Sequence, residues 1–128
     1  MSVTKNELVF YGIDDIDEKI DNIIDCLNLK KQYFEIKLII FEAVNNAFIH
    51  GNNRDKNKPI YLRWNLENHL LSFYVEDCGT GFKDSSIYKE IDEHDILEEG
   101  GRGLYLINCY ADEVEFKDNS IIMKKYVW

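Results

Sequence analysis

The chain predicts a two-layer α/β (α+β) sandwich, with helices on one face of a mixed, mostly antiparallel sheet. Two observations carry this. The periodicities run strand, helix, helix, two strands, helix, two strands, and the later strands pair off through short polar turns. With 128 residues and 45% hydrophobic content, residues 1–128 are expected to form one domain with a real core.

The elements follow in order. "ELVFYGI" has the aromatic and β-branched content of a strand. In "DDIDEKIDNIIDCL", Ile16, Ile20, Ile23, Ile24 and Leu27 fall at helical spacing, and the early acids suit a helix N-terminus. After the basic joint "LKKQ", a long helix runs through "YFEIKLIIFEAVNNAFIH", with Gly51 expected to end it as a C′ glycine. "GNNRDKNKP" is a polar loop closed by the only proline, Pro59. "IYLRWNL" and "LLSFYVED" read as strands joined near Glu67 and Asn68, with Leu71, Phe73, Val75 and Asp77 on one face. "CGTGF" is a glycine turn, and an acidic stretch of little apolar periodicity follows it. "GGRG" leads into the helix "LYLINCYA", and "EVEFKDNSIIMKKYVW" closes as a hairpin turning at Lys117 to Asn119.

The formal net charge of −9 disfavours nucleic acid and anionic lipid and favours a protein or cationic partner. It leaves a nucleotide open, because a few local amides and a metal ion outweigh distant surface charge. Cys26, Cys78 and Cys109 lie far apart, without a C-x-x-C, as expected of reduced cytosolic thiols. "MSVTKNELVF" lacks the apolar core of a signal peptide, and no run is long enough to span a bilayer. A cytoplasmic domain is expected.

Four features bear on chemistry. Glu42, Asn46 and His50 are spaced four apart and share one side of a strongly apolar helix. A helix edge in water would account for one such residue. Three in line among Phe41, Val44, Ala47 and Phe48 suggest a cleft wall, and Asn46 costs roughly half a kcal/mol against Ala in helix propensity. An amide oxygen is a hard ligand suited to Mg²⁺, and a carboxylate one turn away can take a proton. "DCGTGF" is either a simple turn or a site in which Asp77, at the end of a buried row, meets a donor such as an exocyclic amine. Gly100, Gly101 and Gly103 are either a loop or an anion site at a helix N-terminus. The acidic stretch between them is a solvated charge run or a lid.

Taken in order, E-A-V-N-N-A-x-x-H-G, D-C-G-T-G-F and G-R-G-L-Y-L-I resemble the Bergerat-type (GHKL) ATP-binding fold. More narrowly, they are similar to the anti-sigma-factor serine kinases of bacterial partner-switching systems, over essentially the whole chain. The resemblance implies a general-base role for Glu42, Mg²⁺ coordination by Asn46, and recognition of the adenine amine by Asp77. Gly79 and Gly81 would shape the adenine pocket with Phe82 beside it. Gly101 and Gly103 would meet the phosphates, with Leu104 opening the next helix and His50 near the lid or phosphates. The family's last hairpin usually carries Gly-Thr where this chain has Asn119-Ser120. Ser120 retains a hydroxyl for adenine, and Asn119 tolerates a left-handed turn.

The implied activity is ATP- and Mg²⁺-dependent phosphorylation of a serine on a sigma-antagonist protein, by a kinase that also acts as an anti-sigma factor. A sigma factor would be the second partner, and a homodimer the implied assembly. The alternative is an ATP-binding regulatory module that binds partners without phosphotransfer. Histidine-kinase catalytic domains and the topoisomerase, chaperone and mismatch-repair relatives are disfavoured. No histidine precedes His50 in the sequence, and no further domain is expected after the motifs.

Overall fold

The computed structural model describes residues 6–79 and 101–127. Five strands, β1 (Glu7–Phe10), β2 (Ile60–Glu67), β3 (Leu70–Glu76), β4 (Glu113–Lys117) and β5 (Ser120–Tyr126), form one sheet in the order β1-β2-β3-β5-β4. Every described pairing is antiparallel. Three α-helices among the described residues, α1 (Ile16–Leu27), α2 (Tyr33–Asn46) and α3 (Gly101–Tyr110), complete the second layer. The two-layer sandwich expected from the order of periodicities is the fold that forms. None of the described helices is long and apolar enough to cross a membrane.

The first helix buries Ile16, Ile20, Ile23 and Ile24, a stripe at 3.6-residue spacing, while Asp17 and Glu18 meet its positive end. It stops where Asn28 turns left-handed (φ 57°), and the Leu29 N–H reaches back to the Ile24 carbonyl at 3.1 Å. A 3₁₀ turn, Lys30–Gln32, then redirects the chain into α2. That helix is the spine of the layer. It packs between α1 and α3, lies over β3, and presents Ile36, Ile39 and Ile40 with no exposed surface. Fully burying each such side chain contributes about 1.5–3 kcal/mol.

The sheet answers with its inward row: Phe10 from β1, Ile60 and Leu62 from β2, Leu71, Phe73 and Val75 from β3, and Ile121 and Met123 from β5. Alternation gives the other face to polar groups, where Arg63 pairs with Glu7 at 2.6 Å and Glu76 at 3.2 Å across three strands. One inward residue is charged. Lys125 donates to the Tyr110 carbonyl at 2.8 Å, at the negative end of α3.

Boundaries differ from expectation in three places, each with a local cause. The β2–β3 turn is Asn68–His69, one residue later than expected, because both positions take the positive φ (51° and 68°) that matches strand twist. In the β4–β5 turn the left-handed residue is Asp118 (φ 54°), not Asn119. The third helix already includes Gly101 and Gly103 in its first turn, instead of starting after them. The acidic stretch from Asp84 to Glu99, with Gly81 and Phe82 before it, lies outside the described residues.

Candidate functional site

The end of α2 is where the local structure departs from a regular helix. After Asn46 the turn widens over Ala47–Gly51, and the Asn52 N–H bonds the Ala47 carbonyl, five residues back, at 2.8 Å. Such wide turns concentrate at functional sites. Gly51 does not take the left-handed C′ conformation expected of it; Asn53 (φ 53°) and Arg54 (φ 60°) do. Its reason for being glycine is tertiary. A Cβ there would collide with the Asp77 carboxylate, brought in from the end of β3.

A cavity of about 330 Å³ opens between this wide turn, the end of β3, the first turns of α3 and the β4–β5 turn. That volume is at the small end of the range for small-molecule sites. Its apolar wall is Ala43, Ala47, Val75, Leu104 and Ile121, and its polar groups include Asn46, His50, Asp77 and Asn119. Four segments distant in sequence therefore converge on one space.

Asp77 is 8% exposed, and its parity with Leu71, Phe73 and Val75 puts it on the helix-covered face, as the alternation predicts. The Gly79 N–H donates to its Oδ1 at 2.7 Å. Burial pushes its carboxyl above the ordinary carboxylate range, that hydrogen bond pulls the other way, and the neighbouring Glu76 charge adds to the rise. A carboxylate held this way gains from an N–H donor supplied by a ligand. Gly79 is itself required by close approach, since a Cβ would sit 2.6 Å from the Gly51 carbonyl oxygen.

At the other end of the row, the Asn46 Nδ2 is buried with no hydrogen-bond partner among the described residues. An orphaned amide is costly to leave dry, and a half-turn of the side chain exchanges its nitrogen and oxygen. Either way the group lies at the cavity wall. Glu42, one turn earlier, lies against Gly103: a Cβ on that glycine would be 2.7 Å from the Glu42 Oε2 and 3.3 Å from the Asn46 Nδ2. Glycine there lets the N-terminal end of α3 close onto the α2 row, bringing unsatisfied N–H groups beside it.

Of the residues singled out from sequence, Asn46, His50, Asp77, Gly79 and Leu104 line the cavity; Glu42 and Gly103 stand beside it. Gly101 is placed in the same helical turn as Gly103. Gly81 and Phe82 lie outside the described residues. Ser120 is not part of the lining. Inward-facing Ile121 follows it, so alternation turns the Ser120 side chain to the opposite face, and its neighbour Asn119 takes the cavity position.

Sequence reasoning passed over several contributors, Asn53 and Lys58 of the lining among them. Gly51 was expected only to stop a helix, Asn52 had no assigned role, and Phe116 of β4 closes part of the wall. Asn52 is fully buried; its Oδ1 accepts the Cys78 N–H at 2.8 Å, and its Nδ2 donates to the Lys58 and Pro59 carbonyls at 3.1 and 3.2 Å. No local signal marks an asparagine whose partner lies 26 residues away.

A helix-backed antiparallel sheet, with a buried acid on β3 and an α2 amide across the cavity, defines a class. The chain belongs to the histidine kinase-like ATPase domain family, which it matches over residues 21–125. Among characterised relatives, it is 30% identical over 100 residues to an anti-sigma F factor of Geobacillus sp. (strain WCH70), covering 73% of this chain and 68% of that protein. It is 32% identical over 102 residues to the serine-protein kinase RsbW of Bacillus subtilis (strain 168), covering 73% of this chain and 64% of that protein. An anti-sigma F factor of Oceanobacillus iheyensis is 31% identical over 98 residues, covering 71% and 67% respectively. The matches thus span about two thirds of the length of these relatives.

Proposed function

We propose that the chain is an ATP-dependent protein-serine kinase and anti-sigma regulatory factor. It phosphorylates a sigma-antagonist protein in the cytoplasm, takes a sigma factor as second partner, and works as a homodimer. The observation that carries the reading is the convergence of Asp77, the Glu42–Asn46 row and the first turn of α3 on one cavity. Family membership supports ATP as the ligand, and the names of the relatives support an anti-sigma kinase.

In this reading Asp77 accepts a hydrogen bond from the adenine amine at the closed end, against Val75 and Ile121. The N–H groups of the first turn of α3 meet the phosphates, where the helix dipole favours negative charge. Asn46, a cavity-lining residue, would hold Mg²⁺ through its amide oxygen; the ion takes few protein ligands and keeps phosphate oxygens for the rest. When bound, that ion supplies charge neutralisation of the triphosphate. Glu42 orients a serine hydroxyl brought by the partner protein and receives its proton. Catalysis of this kind is positioning plus electrostatics, which suits a site made of two acids, one amide and backbone N–H groups.

A second reading, binding of ATP without transfer, draws on one observation. The Glu42 carboxylate lies against Gly103 and outside the cavity lining. Calorimetry and phosphotransfer together separate the two. Mg·ATP should bind the wild type and bind Asp77→Asn about tenfold or more weakly, while Glu42→Ala should bind ATP and lose transfer of labelled phosphate to a sigma-antagonist protein. Binding by the wild type with no transfer to any such protein would leave the regulatory module as the function.

A further inference from the structure

The segment Asp77 to Gly79 has left the sheet, since the β3 ladder ends at Glu76. Beyond one backbone bond to Asn119, side chains from two other segments hold it. On one side, the Asn52 Oδ1 accepts the Cys78 N–H at 2.8 Å. On the other, the Asn119 Nδ2 donates to the Asp77 carbonyl, and the Asn119 carbonyl accepts the Asp77 N–H at 3.1 Å. With the Gly79 N–H on Oδ1, the N–H groups of residues 77, 78 and 79 and the Asp77 carbonyl are all engaged.

We propose that Asn52 and Asn119 are positioning residues that clamp this segment from opposite sides and thereby set which base the cavity accepts. The inference rests on the nucleotide reading above and adds two residues to it. Asn52 fills three of its four hydrogen-bonding positions with protein groups and has no exposed surface, so no water substitutes when the side chain changes. Its anchors, Lys58 and Pro59, lead into β2, so the clamp ties the wide turn after α2 to the sheet on either side of the cavity. Asn119 lines the cavity itself. An acceptor aimed at an exocyclic amine discriminates only when it is held in place. A freed carboxylate can swing to meet another base and keeps little preference.

The test is a ratio. Binding of Mg·ATP and of inosine triphosphate, which carries a carbonyl where adenine has its amine, is measured by competition against a fluorescent ATP analogue. The proteins are wild type, Asn52→Leu and Asn119→Ala, each checked for folding by thermal melting. A drop in folded fraction lowers both affinities equally and leaves their ratio unchanged, so the ratio reports positioning and not stability. The clamp predicts that the wild type prefers ATP and that each folded variant loses roughly fivefold or more of that preference, the equivalent of one net hydrogen bond, while inosine triphosphate affinity stays within about twofold. Should Asn52→Leu fail to fold, Asn119→Ala carries the test, because Asn119 is only partly buried in the β4–β5 turn and its backbone bond to the Asp77 N–H does not depend on its side chain. An unchanged ratio in a folded Asn119→Ala overturns the clamp and leaves the nucleotide site standing. A wild type that binds neither nucleotide overturns the site and the clamp together.

Discussion

Asp77 is a carboxylate whose burial is costly to the fold. Its pKa is raised in the fold, so its ionised form is a net cost at neutral pH, and the cost is relieved as pH falls through the raised value. Asp77→Asn should therefore melt above the wild type at pH 7, with the gap closing on acidification toward the pKa of Asp77. The same substitution should weaken ATP binding by about tenfold or more, since one amide cannot reproduce both acceptors of a carboxylate. Affinity of the wild type for ATP should likewise fall on acidification at a higher pH than an ordinary aspartate would dictate. Melting curves and calorimetry across pH check both halves. Gly51 makes the complementary point. Gly51→Ala forces a methyl into the Asp77 carboxylate, and a loss of about 1–3 kcal/mol in denaturant unfolding is expected. Full stability in that variant would show that Asp77 can be displaced without loss.

At the scale of elements, α2 and the turns do different work. Ile40 is fully buried in α2, one turn before the cavity wall begins at Ala43, so Ile40→Val should cost about 0.5–1.5 kcal/mol and leave ATP affinity unchanged. A shift in affinity would mean that core packing sets the placement of Asn46. The β2–β3 turn offers the opposite sign. His69 holds φ 68°, a conformation that glycine takes without strain, and His69→Gly should stabilise by about 0.5 kcal/mol in the same unfolding experiment. The wide turn after Asn46 is the element that joins structure to chemistry. One extra residue per turn brings Gly51 against Asp77 and leaves His50 at the rim of the cavity.

For the whole molecule, a ligand that binds only the folded state adds stability by mass action. ATP with Mg²⁺ at 100 times its Kd should add about 2.7 kcal/mol and raise the melting temperature by several degrees. Asn46→Ala should abolish the Mg²⁺-dependent part of that shift. A shift equal with and without Mg²⁺ in the wild type would count against the metal role of Asn46. The acidic surface implied by a net charge of −9 is no obstacle to an anion here. The phosphates would meet N–H groups at a helix end a few ångströms away, whereas distant carboxylates are screened over about 8 Å at physiological ionic strength.

Much of this was legible in the residues themselves. Helical spacing marked Ile16 to Ile24, strand parity put Asp77 on the covered face, and the four-residue spacing of Glu42, Asn46 and His50 put them on one side of a helix. These are properties of a short stretch of chain with a known repeat, so they can be read without the fold. What the tertiary structure alone decided are the close approaches. Gly51 and Gly103 are glycines because carboxylates from elsewhere press on them, and Asn52 has its role because it accepts the N–H of Cys78, 26 residues on. Each depends on contacts between segments far apart in sequence, and no local periodicity encodes a distance between segments that meet only when the core closes.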